Sequence, residues 1–127
     1  MIGGDHVELR VPASGAYVSV LRTAAAGLAA RLDFTVDDIE DLRIAVDEAC
    51  AVLLPLADTD ARITARFDLE PEHLQVTVSV PSAVTEPPSR HTFAWTVLTA
   101  LAGEVDANVE DGTVTLTLRK QQTTRPG

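Results

Sequence analysis

The apolar positions of this chain fall into runs of two periods, and the changes of period mark its elements. Val7, Leu9 and Val11 alternate with His6, Glu8 and Arg10, the period-two signature of a strand with one buried face. Pro12 ends that run. From about Ser14 the spacing becomes three and four: Val18, Leu21, Ala25, Leu28 and Leu32 share one face of a helix of about five turns. A second helix is predicted from Thr35, where Thr-Val-Asp-Asp offers an N-cap hydroxyl and an acid at the third position. Its apolar stripe is Ile39, Leu42, Val46, Ala49, Cys50 and Leu53, and Pro55 stops it. Asp37, Asp38, Glu40 and Asp41 crowd its first turns, where they suit the positive end of the helix dipole and are expected to be solvated.

Period two then returns. Ile63, Ala65, Phe67 and Leu69 form one inward face, Leu74, Val76, Val78 and Val80 another, and the short connection Glu70 to His73 predicts a hairpin. Residues 81–91 hold three prolines and no period, which predicts a loop. A short helix over Thr92 to Ala102 follows, then strands near Val105 to Val109 and Thr113 to Arg119, with Asp111-Gly112 as the turn between them. Residues 120–127 read as a frayed tail after a single domain over 1–119. Each strand is apolar on one face and most are joined by hairpins. The expected fold is therefore a two-layer α+β sandwich, a mostly antiparallel sheet covered on one face by three helices.

Composition narrows the function classes. The net charge of −9 disfavours nonspecific grip on nucleic acid or an anionic membrane and suits a basic protein partner. Cys50 is the only cysteine, so neither an internal disulfide nor a Cys-rich metal site can form. Its place on the buried stripe of the second helix marks a core thiol rather than a redox switch. His6, His73 and His91 lack metal-ligand spacing and are expected at the surface. No apolar run approaches the roughly 20 residues that span a bilayer, and Met1 to His6 lacks the parts of a secretory signal. The expectation is a cytoplasmic protein that binds neither membrane nor nucleic acid directly.

Residues 41–54, DLRIAVDEACAVLL, resemble the N-box helix of the RsbW/SpoIIAB serine kinases, anti-sigma factors of the GHKL ATPase superfamily. Three further segments keep that family's order. VPASGAYVSVLRTAAAGLAARLDF resembles its first helix, FAWTVLTALAGEV its helix after the ATP lid, and DGTVTLTLRK its closing strand. The resemblance, over residues 7–119, implies the Bergerat ATPase fold. It also implies a set of site positions. The N-box supplies a glutamate base and, four residues on, an asparagine for magnesium, on one helix face. Glu48 matches the glutamate, but Val52 stands at the asparagine position and has no oxygen for a hard cation. In the adenine-reading Asp-x-Gly-x-Gly turn, Val80 falls at the aspartate and Ser82 and Val84 at the glycines. Thr92 and Ala94 fall at the Gly-x-Gly pair that opens the phosphate helix, after a shortened, proline-rich lid.

Of these ATP features only Glu48 survives, and phosphoryl transfer depends on metal and positioning groups together. The expectation is a degenerate nucleotide pocket with no catalytic residue, metal or cofactor. Glu48 would be the base, and Mg-ATP the cofactor, only if the chain were an active kinase. Arg22 matches the family arginine that contacts both the sigma factor and its competitor, and Trp95 matches a core aromatic. The resemblance thus implies sequestration of a stress- or sporulation-type sigma factor, release by a STAS-domain anti-anti-sigma protein, and a possible homodimer. Two alternatives stand beside it: an active protein-serine kinase phosphorylating the STAS protein, and an interaction module with no sigma partner.

Overall fold

The structure, a computed structural model, describes residues 4–123. Strand β1 (Asp5–Pro12) leads through one 3₁₀ turn into helix α1 (Val18–Arg31), followed by helix α2 (Val36–Leu53). Strands β2 (Arg62–Leu69) and β3 (His73–Pro81) come next, then helix α3 (Phe93–Ala102) and strands β4 (Glu104–Glu110) and β5 (Thr113–Gln121). The five strands form one antiparallel sheet in the order β1-β2-β3-β5-β4. Helix α2 lies in the middle of the helical layer, packed against α1 and against α3. This is the two-layer α+β sandwich that the periodicity predicts.

One core joins the layers. From the sheet it takes Ile63, Phe67, Leu74, Val76, Val78, Val80, Leu116 and Leu118, and from the helices Leu21, Leu42, Val46, Leu53 and Leu98, all fully buried. Each such side chain contributes roughly 1.5–3 kcal/mol relative to exposure. Ala25, Ala29, Ala45 and Ala49 are also fully buried. Such small side chains let helix axes approach closely.

The ends of the helices follow from local chemistry. The Thr35 hydroxyl accepts from the Asp38 amide at 3.1 Å and caps α2. Asp33, at φ 60°, takes the left-handed position that closes α1. Asp111 and Gly112, at φ 52° and 73°, form the tight turn between β4 and β5. Positive φ at both central residues gives the twist a two-residue hairpin needs.

Several details depart from the pattern-based expectations. The first helix is shorter than the periodicity suggests. The Ser14 hydroxyl accepts from the Ala16 amide, and Gly15–Tyr17 form a 3₁₀ turn before α1 begins. Its buried stripe closes on Ala29 instead of Leu28, which is half-buried. Val7, expected inward, is 36% exposed, because β1 is an edge strand that packs chiefly along β2. Residues 120–123 are not a frayed end; residues 124–127, the rest of the expected tail, lie outside the described residues. Strand β5 runs to Gln121, and the next two residues are bound across the helical layer. The Gln122 side-chain amide donates to the Leu32 and Asp33 carbonyls at 3.2 and 2.9 Å. The Thr123 amide and hydroxyl both donate to the Asp38 carboxylate at 2.9 Å.

Asp38 itself is 5% exposed, so the acidic start of α2 is only partly the solvated cluster expected. The Lys120 ammonium lies 3.5 Å from Asp38 and 3.6 Å from Asp41 and donates to the Leu101 carbonyl at 2.9 Å. A buried carboxylate is tolerable only when paired and hydrogen-bonded, and both conditions are met here.

Candidate functional site

The positions implied by the resemblance lie on α2, the end of β3, the loop after it and the start of α3. Glu48 and Val52 sit one turn apart on α2 and are both half-buried. Glu48 makes no side-chain hydrogen bond or ion pair among the described residues. Val80 is fully buried on β3, opposite Val114 of β5, and belongs to the core. Ser82 is buried, and its hydroxyl accepts from the Val84 amide at 3.2 Å while its own amide donates to the Gly112 carbonyl. Neither Ser82 nor Val84 has a positive φ, so the loop makes no use of the conformations that glycine alone adopts easily.

Thr92 caps α3: its hydroxyl accepts from the Trp95 amide at 3.1 Å. The phosphate-facing end of that helix thus carries a side-chain cap where the family has glycine. Ala94, the second residue of the same helix, is half-buried. A shallow cleft of about 510 Å³ opens beside the loop, lined by Leu56, Ala83, Val84, Thr85, Glu86, Pro87 and Pro88. Of the seven pocket positions it takes in Val84 alone.

This donor set does not fit magnesium-ATP. A hard cation of this kind binds through oxygen, and Val52, at the position that the resemblance matches to the metal-binding asparagine, has only methyl groups. Val80, at the position that the resemblance matches to the adenine-reading aspartate, has no group that could accept from an adenine amino group. No phosphoryl-transfer step is derivable from these residues.

Two ion pairs flank these elements, and the sequence reading named only one member of the first. Arg22 on α1 reaches across to Asp47 on α2, its Nη1 donating to both carboxylate oxygens at 2.8 and 2.9 Å. The antiparallel α1–α2 connection through a four-residue turn would have placed 22 beside 47, so the pair was open to a register count. In the second, Arg90 of the loop donates to Asp106 on β4 at 2.6 Å and lies 4.7 Å above the Trp95 ring. Its hydrogen bond holds the Asp106 carboxyl below the usual aspartate range. Trp95 is 8% exposed, so it packs in the core as expected while stacking on the loop. A cleft of about 630 Å³ bounded by Gln75, Arg90, Trp95, Asp106 and Arg119 lies along that edge.

Cys50 is fully buried and its thiol is pushed up to about 12, by burial first and by the Asp47 charge second. The core-thiol reading is sound. Among the described residues no three His, Cys, Asp or Glu side chains cluster to hold a metal ion. No described helix is long and apolar enough to cross a membrane.

Comparison with known proteins gives one consistent answer. No family model matches the chain. It is 38% identical over 78 residues to the serine-protein kinase RsbW of Bacillus velezensis, covering 59% of this chain and 49% of that protein. The RsbW of Bacillus subtilis matches to the same extent, and that of Bacillus cereus is 36% identical over 77 residues, 59% of this chain and 48% of its own length. The chain thus spans about half the length of these relatives. Among solved structures it resembles the RsbU and RsbW domains of a Mycobacterium tuberculosis protein, with a TM-score of 0.74 at 18% identity. That match covers 96% of this chain and 33% of the other, and at such identity it speaks for the fold alone. The chain is therefore similar to the RsbW serine-protein kinases in sequence, and its fold is that of an RsbW-containing structure.

Proposed function

We propose that this chain is an anti-sigma factor that sequesters an alternative sigma factor by direct binding, and that it does so without kinase activity. The observation that carries the second half is the chemistry of the old pocket, where valines stand at the metal and adenine positions and Val80 is part of the core. The similarity to RsbW proteins supports the first half. Arg22 is the proposed partner contact, on the solvent side of α1 beside α2. Release is by a STAS-domain anti-anti-sigma protein competing for the same surface. Since the chain does not phosphorylate that competitor, control passes to its abundance or to another signal. The net charge of −9 speeds encounter with a basic partner.

Glu48 and the names of the relatives favour one second reading, an active serine kinase acting on the STAS protein. A single assay separates the two. Each alternative sigma factor and each STAS-domain protein of the source genome is purified and titrated against the full chain, with and without magnesium-ATP. The proposal expects one sigma factor to bind equally well under both conditions, to be displaced by a STAS protein, and to lose affinity with Arg22→Ala. Transfer of the ATP γ-phosphate to a STAS serine would establish the kinase instead. Binding of no sigma factor at all would leave an interaction module with other partners.

A further inference from the structure

Arg22 and Asp47 meet through a single guanidinium nitrogen. Nη1 donates to both carboxylate oxygens, at 2.8 and 2.9 Å, with one N–H shared between them. Nε and Nη2 have no protein acceptor among the described residues. No described side-chain nitrogen or oxygen is buried without a partner, so water reaches both of them. The two side chains are 33% and 45% exposed. A guanidinium is a rigid planar fork of five N–H donors, and its Nε–Nη2 edge is a two-donor face for a carboxylate.

We infer that Asp47 is a positioning residue for Arg22, holding the guanidinium by Nη1 so that the Nε–Nη2 edge stays open to a carboxylate on an incoming protein. The inference rests on the reading of Arg22 as the partner contact and adds how that contact is prepared. A free arginine side chain loses much rotamer freedom when a partner fixes it, a cost that weakens binding. Here the α1–α2 pair has already restricted the side chain. The geometry argues against a mask, since a masking carboxylate would occupy the side edge instead of one terminal nitrogen. The nearest other cation on α2, Arg43, is engaged by Glu40 at 2.7 Å and does not compete for Asp47. The incoming group is a carboxylate and not a cationic side chain, because only an acceptor can use the two remaining nitrogens.

Two measurements on the full chain test this, one of them free of any partner. Nitrogen-15 relaxation at the Arg22 Nε–H group is expected to show a side chain far more ordered than the exposed Arg31, and Asp47→Ala is expected to bring it to the Arg31 level. With the sigma factor or STAS protein that binds in the assay above, Asp47→Ala is expected to weaken binding roughly three- to tenfold, the range that ordering one long side chain commands. Asp47→Glu should recover part of that loss. In an Arg22→Ala background Asp47→Ala should change nothing further, and circular dichroism should show the fold intact in each variant. An Arg22 Nε–H as mobile as that of Arg31 in the unaltered chain overturns the inference. So does tighter binding by Asp47→Ala, the signature of a mask, or an equal loss with Arg22 already removed. If Arg22→Ala leaves affinity unchanged, the partner reading of Arg22 falls, and the relaxation result still decides whether Asp47 orders it.

Discussion

The Asp38 carboxylate ties the end of the described chain to the start of α2. It accepts two hydrogen bonds from Thr123 and faces Lys120 at 3.5 Å. Burial alone would push its pKa up, but the Thr123 donors, the Lys120 ammonium and the Thr35 hydroxyl together hold it below the ordinary value. A carboxyl depressed in the folded state stabilises the fold above its unfolded pKa of about 3.9, and that contribution fades as pH falls through the lower folded value. Asp38→Ala strands a largely buried ammonium beside Asp41 alone, and is expected to cost about 3 kcal/mol in urea unfolding at pH 7. Asp38→Asn should also flatten the stability profile below about pH 4 relative to the unaltered chain. Cys50 gives a second residue-scale prediction. A thiol at about 12 is thiolate to roughly one part in ten thousand at pH 8. The native chain should therefore resist a thiol-disulfide reagent that labels it at once in denaturant, and fast native labelling would contradict its place in the core.

At the scale of elements, the hairpin turn and the cap of α3 carry the clearest expectations. Gly112 has a φ of 73°, and a side chain added there would meet nothing within 4 Å. Gly112→Val should thus cost about 1–2 kcal/mol through backbone strain alone. Thr92→Ala removes the hydroxyl that accepts from the Trp95 amide and should cost about 1 kcal/mol. Both are read by chemical denaturation, and a loss under a few tenths would mean the turn or cap is not as described. These elements were legible because their signals are local. Period-two runs bounded by turn residues gave β2, β3 and β5, and Thr35 and Asp111-Gly112 fixed ends and turns where they are observed. What was not legible depends on partners distant in sequence. Nothing near Asp38 announces Thr123 or Lys120, and nothing in the tail composition shows that Gln122 meets the end of α1. The exposure of Val7 follows from its strand being an edge, a property of sheet order and not of local pattern. Of the candidate site, Arg22 was singled out by resemblance alone, and its bond to Asp47 required the α1–α2 register.

For the whole molecule, the proposal assigns two separable surfaces to one fold: the positions that the resemblance matches to a nucleotide pocket, and a helical face where Arg22 meets Asp47. On the proposed reading the losses are mutually consistent, since Val52, Val80 and Val84 stand at positions that the resemblance matches to groups serving one ligand. On that proposal a partner surface is what the fold has left to offer, and an acidic molecule presenting it is suited to a basic protein. The most direct test is a calorimetric titration of the full chain with magnesium-ATP, followed in parallel by the emission of Trp95, the only tryptophan, at the start of α3. The account predicts no heat of binding and no spectral change up to millimolar nucleotide. Micromolar binding, lost on Glu48→Ala, would contradict it and restore the kinase.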